Sequence, residues 1–484
     1  MLRVLNSQSR QKEEFKPIDP AGKDVRMYVC GPTVYDSLHL GHARAAITPD
    51  IVRRYLEYKG YRVKFVTNFT DIDDKIIKRA NAEKRDWKEL TEYHIAEFHA
   101  MMKTLNVLPA TLYPKATEHI PEMIEIVQVL LEKKHAYVAS DGDVYFDTTT
   151  YERYGKLSGR VIEEDDAGHS QRISDERMKV KKHPGDFVLW KLAKPGEPFW
   201  ESPWGQGRPG WHLECSAMSR KHLGVPFDIH GGGQDLLFPH HEDEKAQTEC
   251  AYCEELKNGE SVKYWVHNGF LTVDGVKSGK SLGNAKWLRE MVWPSGPYDP
   301  MAVRMVFLSA HYRAPINFEF SLFDEAVARL DRIYNAIESI DRALSGTQSL
   351  AVATASKSPT IVAFEAAMDD DFNTAGALGA VFDLVSEVNK QLASKTPDAA
   401  TLQAERRDLV TILTTLGIRS ERASKPSASD SGDSLKLVDL LLQVRQEVRA
   451  AKLYAVGDKI RNSLKELGYE VEDLPGGKWA VKKK

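Results

Sequence analysis

Cysteine is scarce in this chain, with four in 484 residues. So few cannot make a disulfide scaffold, so a reducing compartment is expected and any cysteine chemistry must be local. Long apolar runs are missing too: nothing approaches the ~20 consecutive apolar residues of a membrane span. Met1 to Pro20 has no apolar core and carries Glu13 and Glu14, unlike a secretory leader. A cytoplasmic protein with no membrane partner is therefore expected. Neither charge sign dominates, since 66 Lys and Arg against 70 Asp and Glu leave a formal net charge of −4. This excludes a general nucleic-acid coat but not one basic module, because affinity follows local charge. No internal repeat is found.

What is present is ordinary for a globular protein: 42% hydrophobic and 28% charged residues. At roughly 100–200 residues per domain, the length suggests three or four modules. The first half alternates strand and helix. A strand at Arg26 to Cys30, a helix from the His39-Leu40-Gly41-His42 turn to Tyr58, and a strand at Arg62 to Asn68 make a βαβ unit with a parallel sheet. Pro49 either kinks that helix or starts a new one capped by Thr48. A second set runs from Phe227 to His230, through Gly231-Gly232-Gly233, into a helix from about Pro239 to Glu255. Between the sets, Lys115 to Trp204 reads as an insertion, with a short strand at Asp143 to Phe146 and a charged loop at Glu163 to Arg177. Beyond Ser321 the period changes to three and four residues: Phe323, Val327, Leu330, Tyr334, Ile337, Ile340 and Leu344 form an amphipathic helix. Phe364 to Ala393 and Asp398 to Leu416 add to a bundle, and Ala423 to Ser434 is a linker. The tail is electrically different. Residues 435–484 carry 11 Lys and Arg against 7 Asp and Glu, a net +4, which leaves −8 for the rest.

Three constellations carry chemistry. Gly41 lets a flat ligand approach the backbone, and two imidazoles beside a helix N-terminus suit polyphosphate. Taken alone, the tetrapeptide is equally a turn with two surface histidines. Lys277-Ser278-Gly279-Lys280-Ser281-Leu282-Gly283-Asn284 sets two lysines three apart in a small-residue loop. They can clamp a triphosphate and follow its charge as pyrophosphate leaves; alone, a solvated basic loop explains it better. The third group is metal-like. His240 and Glu244 are i and i+4 on one helix face, while Cys30 ends a strand and Cys215 follows Gly210-Trp211-His212. Thiolate, imidazole and carboxylate are all usual zinc ligands. Cys250-Ala251-Tyr252-Cys253 competes. On a continuous helix, however, Cys250 lies ~240° around from Glu244 and Cys253 ~220° from His240, so one ion cannot reach both sets. A CxxC inside a helix is more often packing, and His212 and His241 read as surface or packing histidines.

Together these residues resemble cysteinyl-tRNA synthetases, a family of class I aminoacyl-tRNA synthetases, over nearly the whole chain up to Leu416. Tyr28-Val29-Cys30-Gly31-Pro32-Thr33-Val34-Tyr35-Asp36 is similar to the family's first-strand motif and leads into its "HIGH" motif at His39 to His42. Asn68-Phe69-Thr70-Asp71-Ile72-Asp73-Asp74-Lys75, Gly210 to Ser216, Gly231 to Leu236 and Phe238 to Glu244 follow in the family's order. Two departures stand out. Leu40 replaces the usual Ile, and Ser278 and Gly279 stand where the "KMSKS" loop usually has Met and Ser.

The resemblance implies an α/β fold: a Rossmann-like parallel-sheet catalytic domain with an insertion, then an α-helical bundle and a small C-terminal domain. It divides the chain into catalytic halves at 1–114 and 205–258 around an inserted connective domain at 115–204. A KMSKS-type loop and stem-contact region (259–317) follows, with a tRNA-binding bundle (318–420), a linker (421–434) and a basic anticodon domain (435–484). Cys30, Cys215, His240 and Glu244 would hold one zinc ion. Gly31, Thr33, Thr70 and Trp211 would line the cysteine pocket. His39, Gly41, His42, Gly231, Gly232, Asp235, Lys280 and Ser281 would meet ATP with its magnesium, and His39, His42, Lys277 and Lys280 would act in catalysis. The implied reaction makes cysteinyl-adenylate from L-cysteine and ATP, then transfers the cysteinyl group to cysteine tRNA. A monomer is expected. Trp479, beside Lys478, reads equally as a stacking residue for an unpaired base and as a core residue of the tail. Two rival readings stay open, a mycothiol-type ligase joining cysteine to an amino sugar and a catalytically silent RNA-binding paralogue.

Overall fold

The computed structural model describes residues 1–160, 180–273, 275–277, 284–345, 357–394, 396–423, 432–451, 453–467, 469–474 and 478–483. It divides into two compact units, Met1–Arg422 and Ala423–Lys484.

The first unit opens with an antiparallel hairpin, β1 (Arg3–Asn6) and β2 (Gln11–Glu14). Its centre is a parallel sheet of β3 (Asp24–Val29), β4 (Arg62–Thr67), β9 (Phe227–Gly233) and β10 (Val262–Asn268) in the order β10-β9-β3-β4. Buried parallel strands are apolar on both faces, and alternation divides them here. Met27, Val29, Ile229, Tyr264 and Val266 join one core, with Ile47, Ile51 and Tyr55. Tyr28, Val66 and Trp265 join another, with Leu213, Met218 and Ala246. The chain reverses direction across the sheet between β3 and β9. Ligands of open α/β sheets bind at such a switch point, beyond the strands' carboxyl ends.

Helix α1 (Leu40–Tyr58) joins β3 to β4 and runs unbroken through Pro49, so its start is His39, not Thr48. After β4 come α2 (Asp74–Glu83), α3 (Trp87–Thr104) and α4 (Ile120–Glu132). Next is an antiparallel sheet of β5 (Ala136–Val138), β6 (Val144–Phe146), β7 (Phe187–Leu192) and β8 (Gly207–Pro209). The charged stretch from Glu163 to Arg177 lies outside the described residues. Helix α5 (Trp211–Leu223) leads to β9 and α6 (Glu242–Ala251) to β10. The helix expected from Pro239 is shorter: Leu237–His241 is a π-type turn interrupted at Phe238, and Cys253–Glu255 is a separate 3-10 turn.

A small sheet of β11 (Leu271–Val273), β12 (Val276–Lys277) and β13 (Ile316–Phe318) follows. Helix α7 (Pro300–Leu308) lies between its strands in sequence, and the bundle contains α8 (Phe320–Ala343), α9 (Pro359–Asp369), α10 (Thr374–Leu392) and α11 (Ala399–Thr415). The stretch expected to be helical from Phe364 to Ala393 is two helices, broken where Asp371 and Phe372 adopt φ of 62° and 54°. Tertiary contacts override helical periodicity there. Asp371 donates its amide to Arg3 O, and its carboxylate accepts from Leu5 N, Tyr312 OH and Arg313 Nε. The second unit pairs α12 (Gly432–Ala450) and α13 (Tyr454–Glu466) with a hairpin of β14 (Tyr469–Leu474) and β15 (Lys478–Lys483). Val438, Leu442, Leu464 and Tyr469 form its core.

A fully buried guanidinium helps to fasten the bundle to the helix that covers the central sheet. Arg304 on α7 donates to Asp50 Oδ2 on α1 (2.6 Å), to Leu105 O and Asn106 O after α3, and to Leu416 O after α11. Replacing Arg304 by Met should lower stability by about 3 kcal/mol, because Leu105 O, Asn106 O and Leu416 O lose a donor together and Asp50 is left with Arg54 and the Leu108 amide. Lys should rescue little, because one ammonium cannot reproduce the planar fork. Thermal melting checks both, and a Met variant that melts with the parent would refute the assignment.

Candidate active site and metal centre

The His39-Leu40-Gly41-His42 turn closes on itself before it could meet a ligand. His39 Nδ1 accepts from Gly41 N (3.0 Å) and His42 Nδ1 accepts from His39 N (3.1 Å), a capping box built from imidazoles. The rings stack with centroids 3.8 Å apart. With each Nδ1 an acceptor, each neutral ring carries its proton on Nε2, the donor end an oxyanion needs. Gly41 is required: a Cβ there would lie 2.8 Å from the His39 ring. The segment after the lysine loop is stitched to this turn through Leu40 N to Lys286 O and Leu288 N to Leu38 O. Lys277 ends β12 opposite Thr272. Ser278, Gly279, Lys280 and Ser281 lie outside the described residues.

At the exit of β9, Gly231 lies in register with Val29 and Val266. A Cβ on Gly232 would come within 2.8 Å of the His241 ring. Asp235 is exposed just beyond. Across the switch point, Gly31 N donates to Asn68 Oδ1 (2.9 Å), and a Cβ on Gly31 would sit 1.6 Å from Asn68 O. The ends of β3 and β4 are thus held edge to edge, continued by a bridge between Thr33 and Thr70. Thr70 Oγ1 donates to Glu214 Oε2 at 2.7 Å. Burial pushes the Glu214 carboxyl well above its usual range. Trp211 begins α5 and lays its ring 4.2 Å from that of His240. Gly31, Thr33, Thr70 and Trp211 therefore lie around the carboxyl ends of β3 and β4 and the start of α5.

Beneath them the structure gathers Cys30, Cys215, His240 and Glu244, with one donor atom of each within 4.8 Å of the others. Cys30 Sγ is 3.2 Å from Glu244 Oε1 and 3.4 Å from His240 Nε2, and His240 Nε2 is 2.9 Å from Glu244 Oε1. Burial alone would raise Glu244, but the charges of His230 and His240 and their hydrogen bonds hold it well below the carboxylate range. Burial would also raise Cys215. Hydrogen bonds from Cys30 and His240 reverse this and bring its thiol down to about 6, while burial keeps the Cys30 thiol well above its usual value. Burial would lower His240, but Glu244 and Cys215 raise it to about 10. An imidazolium proton thus holds two acids together. A divalent cation can take that proton's place on two thiols, one imidazole and one carboxylate, so the donor set fits zinc.

Several residues here escaped sequence reasoning. His241 is fully buried, not on the surface, and His230, His241, Cys30 and Glu244 form a second, overlapping group. His230 Nε2 meets Glu244 Oε2 at 2.8 Å, and His241 Nδ1 meets His267 Nε2 at 2.8 Å. Burial holds His241 well below its usual value and His267 at about 3. His212 is partly buried, with 13% of its side chain exposed, against His240 and Asp243. Strand parity was the available signal. His230 faces Tyr28 and Trp265 across neighbouring strands, and His267 shares the Trp265 face. Cys250 and Cys253 take no part in either group: Cys250 packs in the core behind α6, while Cys253 is exposed.

A model of the tRNA synthetases class I (C) catalytic domain matches residues 15–328, and a DALR domain model matches 363–420. Cysteine–tRNA ligases of Shewanella baltica and Shewanella putrefaciens are each 46% identical over 477 residues, covering 99% of this chain and 99% and 98% of theirs. Mycobacterium tuberculosis methionyl-tRNA synthetase in complex with methionyl-adenylate superposes with a TM-score of 0.56 at 15% identity, over 81% of this chain and 89% of that one. The LeuRS–tRNA–LeuAMS ternary complex of Agrobacterium radiobacter gives 0.58 at 12% identity, over 83% and 85%. At such identities the two structures show a common fold. Matched to its relatives from end to end, the chain is a ligase that belongs to the cysteine–tRNA ligase family of class I aminoacyl-tRNA synthetases.

Proposed function

We propose that the chain joins L-cysteine to cysteine tRNA through cysteinyl-adenylate, with ATP and magnesium as co-substrate and one zinc ion at Cys30, Cys215, His240 and Glu244. The observation that carries this reading is the convergence of those four donors at the β3/β9 switch point, next to the segment where Thr33 bridges Thr70 and Trp211 packs on His240. Of the two overlapping groups, this one leaves His230 to Glu244: its Nε2 is spent on the carboxylate and its Nδ1 has no hydrogen-bond partner among the described residues.

Each residue then has a task. Gly31 and Thr33 allow the amino acid to lie along the backbone at the end of β3. Thr70, its hydroxyl hydrogen directed to Glu214, presents lone pairs for the substrate's ammonium. Trp211 shields the side-chain end from water. His39 and His42 direct Nε2–H groups to the phosphates, Gly41, Gly231 and Gly232 leave room for the nucleotide, and Asp235 meets its ribose. Lys277, Lys280 and Ser281 follow the negative charge as pyrophosphate departs. Zinc when bound would supply a soft Lewis acid that favours a thiolate over a hydroxyl, which separates cysteine from serine where an apolar pocket achieves only ~10–200-fold. The insert, about ninety residues at 115–204, is small for an editing domain. The bundle and the basic tail would hold the tRNA.

The purified chain should contain one zinc and support ATP–pyrophosphate exchange with cysteine but not serine. Cys215→Ser should lose the metal and the exchange and still bind ATP. Equal exchange with serine would sink the selectivity argument, and exchange without charging of cysteine tRNA would favour the amino-sugar ligase. Deleting residues 435–484 should mainly raise the KM for tRNA and leave exchange intact. Collapse of exchange would show that the tail is structural.

A further inference from the structure

The metal reading leaves unexplained why three successive carboxylates, Glu242, Asp243 and Glu244, are buried at the start of α6. Glu244 belongs to the four-donor group, but Asp243 faces away from it. We propose that Asp243 and Tyr154 are positioning residues of the metal centre: acting through His212, they fix the tautomer and orientation of His240, and so the inserted domain helps to set metal affinity. This inference rests on the zinc reading above.

To offer Nε2 to a cation, a neutral His240 must carry its proton on Nδ1. That atom is 2.7 Å from His212 Nδ1, which must therefore accept. His212 then carries its own proton on Nε2, 3.2 Å from Asp243 Oδ2. The other carboxylate oxygen, Oδ1, accepts from Tyr154 OH. With a cation on His240 Nε2, these contacts assign one tautomer to His240 and one to His212, and the pair needs an acceptor oxygen at Asp243. At 1% exposure, Asp243 has no ready substitute in solvent. The chain is a carboxylate–histidine–metal triad lengthened by one imidazole. The arm behind His241 is different: it runs through His267 and ends on the Ser7 hydroxyl, a weaker terminus than a carboxylate.

Tyr154 lies in the insert, and the same insert segment grips α6 a second time, where Ser158 N donates to Glu242 Oε2 at 2.8 Å. Leu157 between them is buried in the core beside α5 and α6. The insert therefore holds the helix start that carries Glu244 and follows His240 at two successive carboxylates.

Asp243→Asn presents an amide that can no longer take both protons. His212 is pushed toward the reversed tautomer, which places a proton against His240 Nδ1. The test measures the zinc dissociation constant of the full-length chain by competition with a chromophoric chelator, together with the visible spectrum of the cobalt(II)-loaded protein. Asp243→Asn should weaken zinc by about 10–100-fold, the usual cost of losing an outer partner of a ligand histidine, and should shift the cobalt spectrum. Tyr154→Phe keeps the shape, removes one donor, and should weaken zinc less but in the same direction. Adding His212→Gln to Asp243→Asn should cost little more, because both act along one chain. A merely structural Asp243 would instead lower the melting temperature of the metal-free protein, leave the cobalt spectrum unchanged, and add to the effect of His212→Gln. If the parent holds zinc, Cys215→Ser loses it, and Asp243→Asn binds as tightly as the parent, this inference fails and the zinc reading stands. A parent that takes up no zinc overturns both.

Discussion

The carboxylate of Glu244 sits almost out of reach of water, and a buried anion persists only where partners replace its hydration. His230 and His240 take its two oxygens and Cys30 approaches one of them. Those three residues come from β9, the turn before α6, and the end of β3, so the charge can be buried only when the switch point is closed. Its two predecessors obey the same rule with different partners: Asp243 holds His212 from α5 and Tyr154 from the insert, and Glu242 holds the amide of Ser158. A helix N-terminus tolerates acids through its dipole, but the hydrogen bonds decide which elements must pack around it.

Backbone proximity is the second constraint, and it explains the glycines that matter. Gly31 leaves no room for a Cβ against Asn68 O, and Gly41 none against the His39 ring. The strand ends and the first turn of α1 therefore meet main chain to main chain, with the imidazoles of His39 and His42 folded into their own capping box. The His39 and His42 rings are set by local hydrogen bonds, while Thr70 and the thiols are set by packing between distant segments. Arg304 extends this rigidity outward by tying α1 to the bundle through Asp50 and Leu416 O.

Much of this was legible in the chain itself. The βαβ unit around α1, the strand ending in Gly231-Gly232-Gly233 and the amphipathic period of α8 follow from patterns of two and of three to four residues. The choice of Cys30, Cys215, His240 and Glu244 over the Cys250–Cys253 pair came from helix geometry and family resemblance, and the structure does bring those four together. What escaped was long-range. Nothing in residues 364–393 announces that Asp371 will be captured by β1, Tyr312 and Arg313, which ends one helix and starts another. His212 and His241 looked like surface or packing residues because an isolated histidine carries no sign of the partner folded onto it. His230 and His267 were hidden inside strands, where alternation marks a face and not a function.

The insert gains a different meaning from the three buried acids. An insertion between β4 and β9 could be a passive decoration, removable at a loop. Here it cannot be removed that way, because Tyr154 and Ser158 supply partners to Asp243 and Glu242 that the catalytic sheet does not. Without them Asp243 would keep His212 and Glu242 would lose the Ser158 amide, at about 1–3 kcal/mol each. Rather than bear that cost, the first turn of α6 would open to water. That turn carries Glu244 and follows directly on His240, so an opening at Asp243 is an opening at the four-donor group as well. The same burial that makes the centre dry makes it dependent on a segment roughly ninety residues back in the chain.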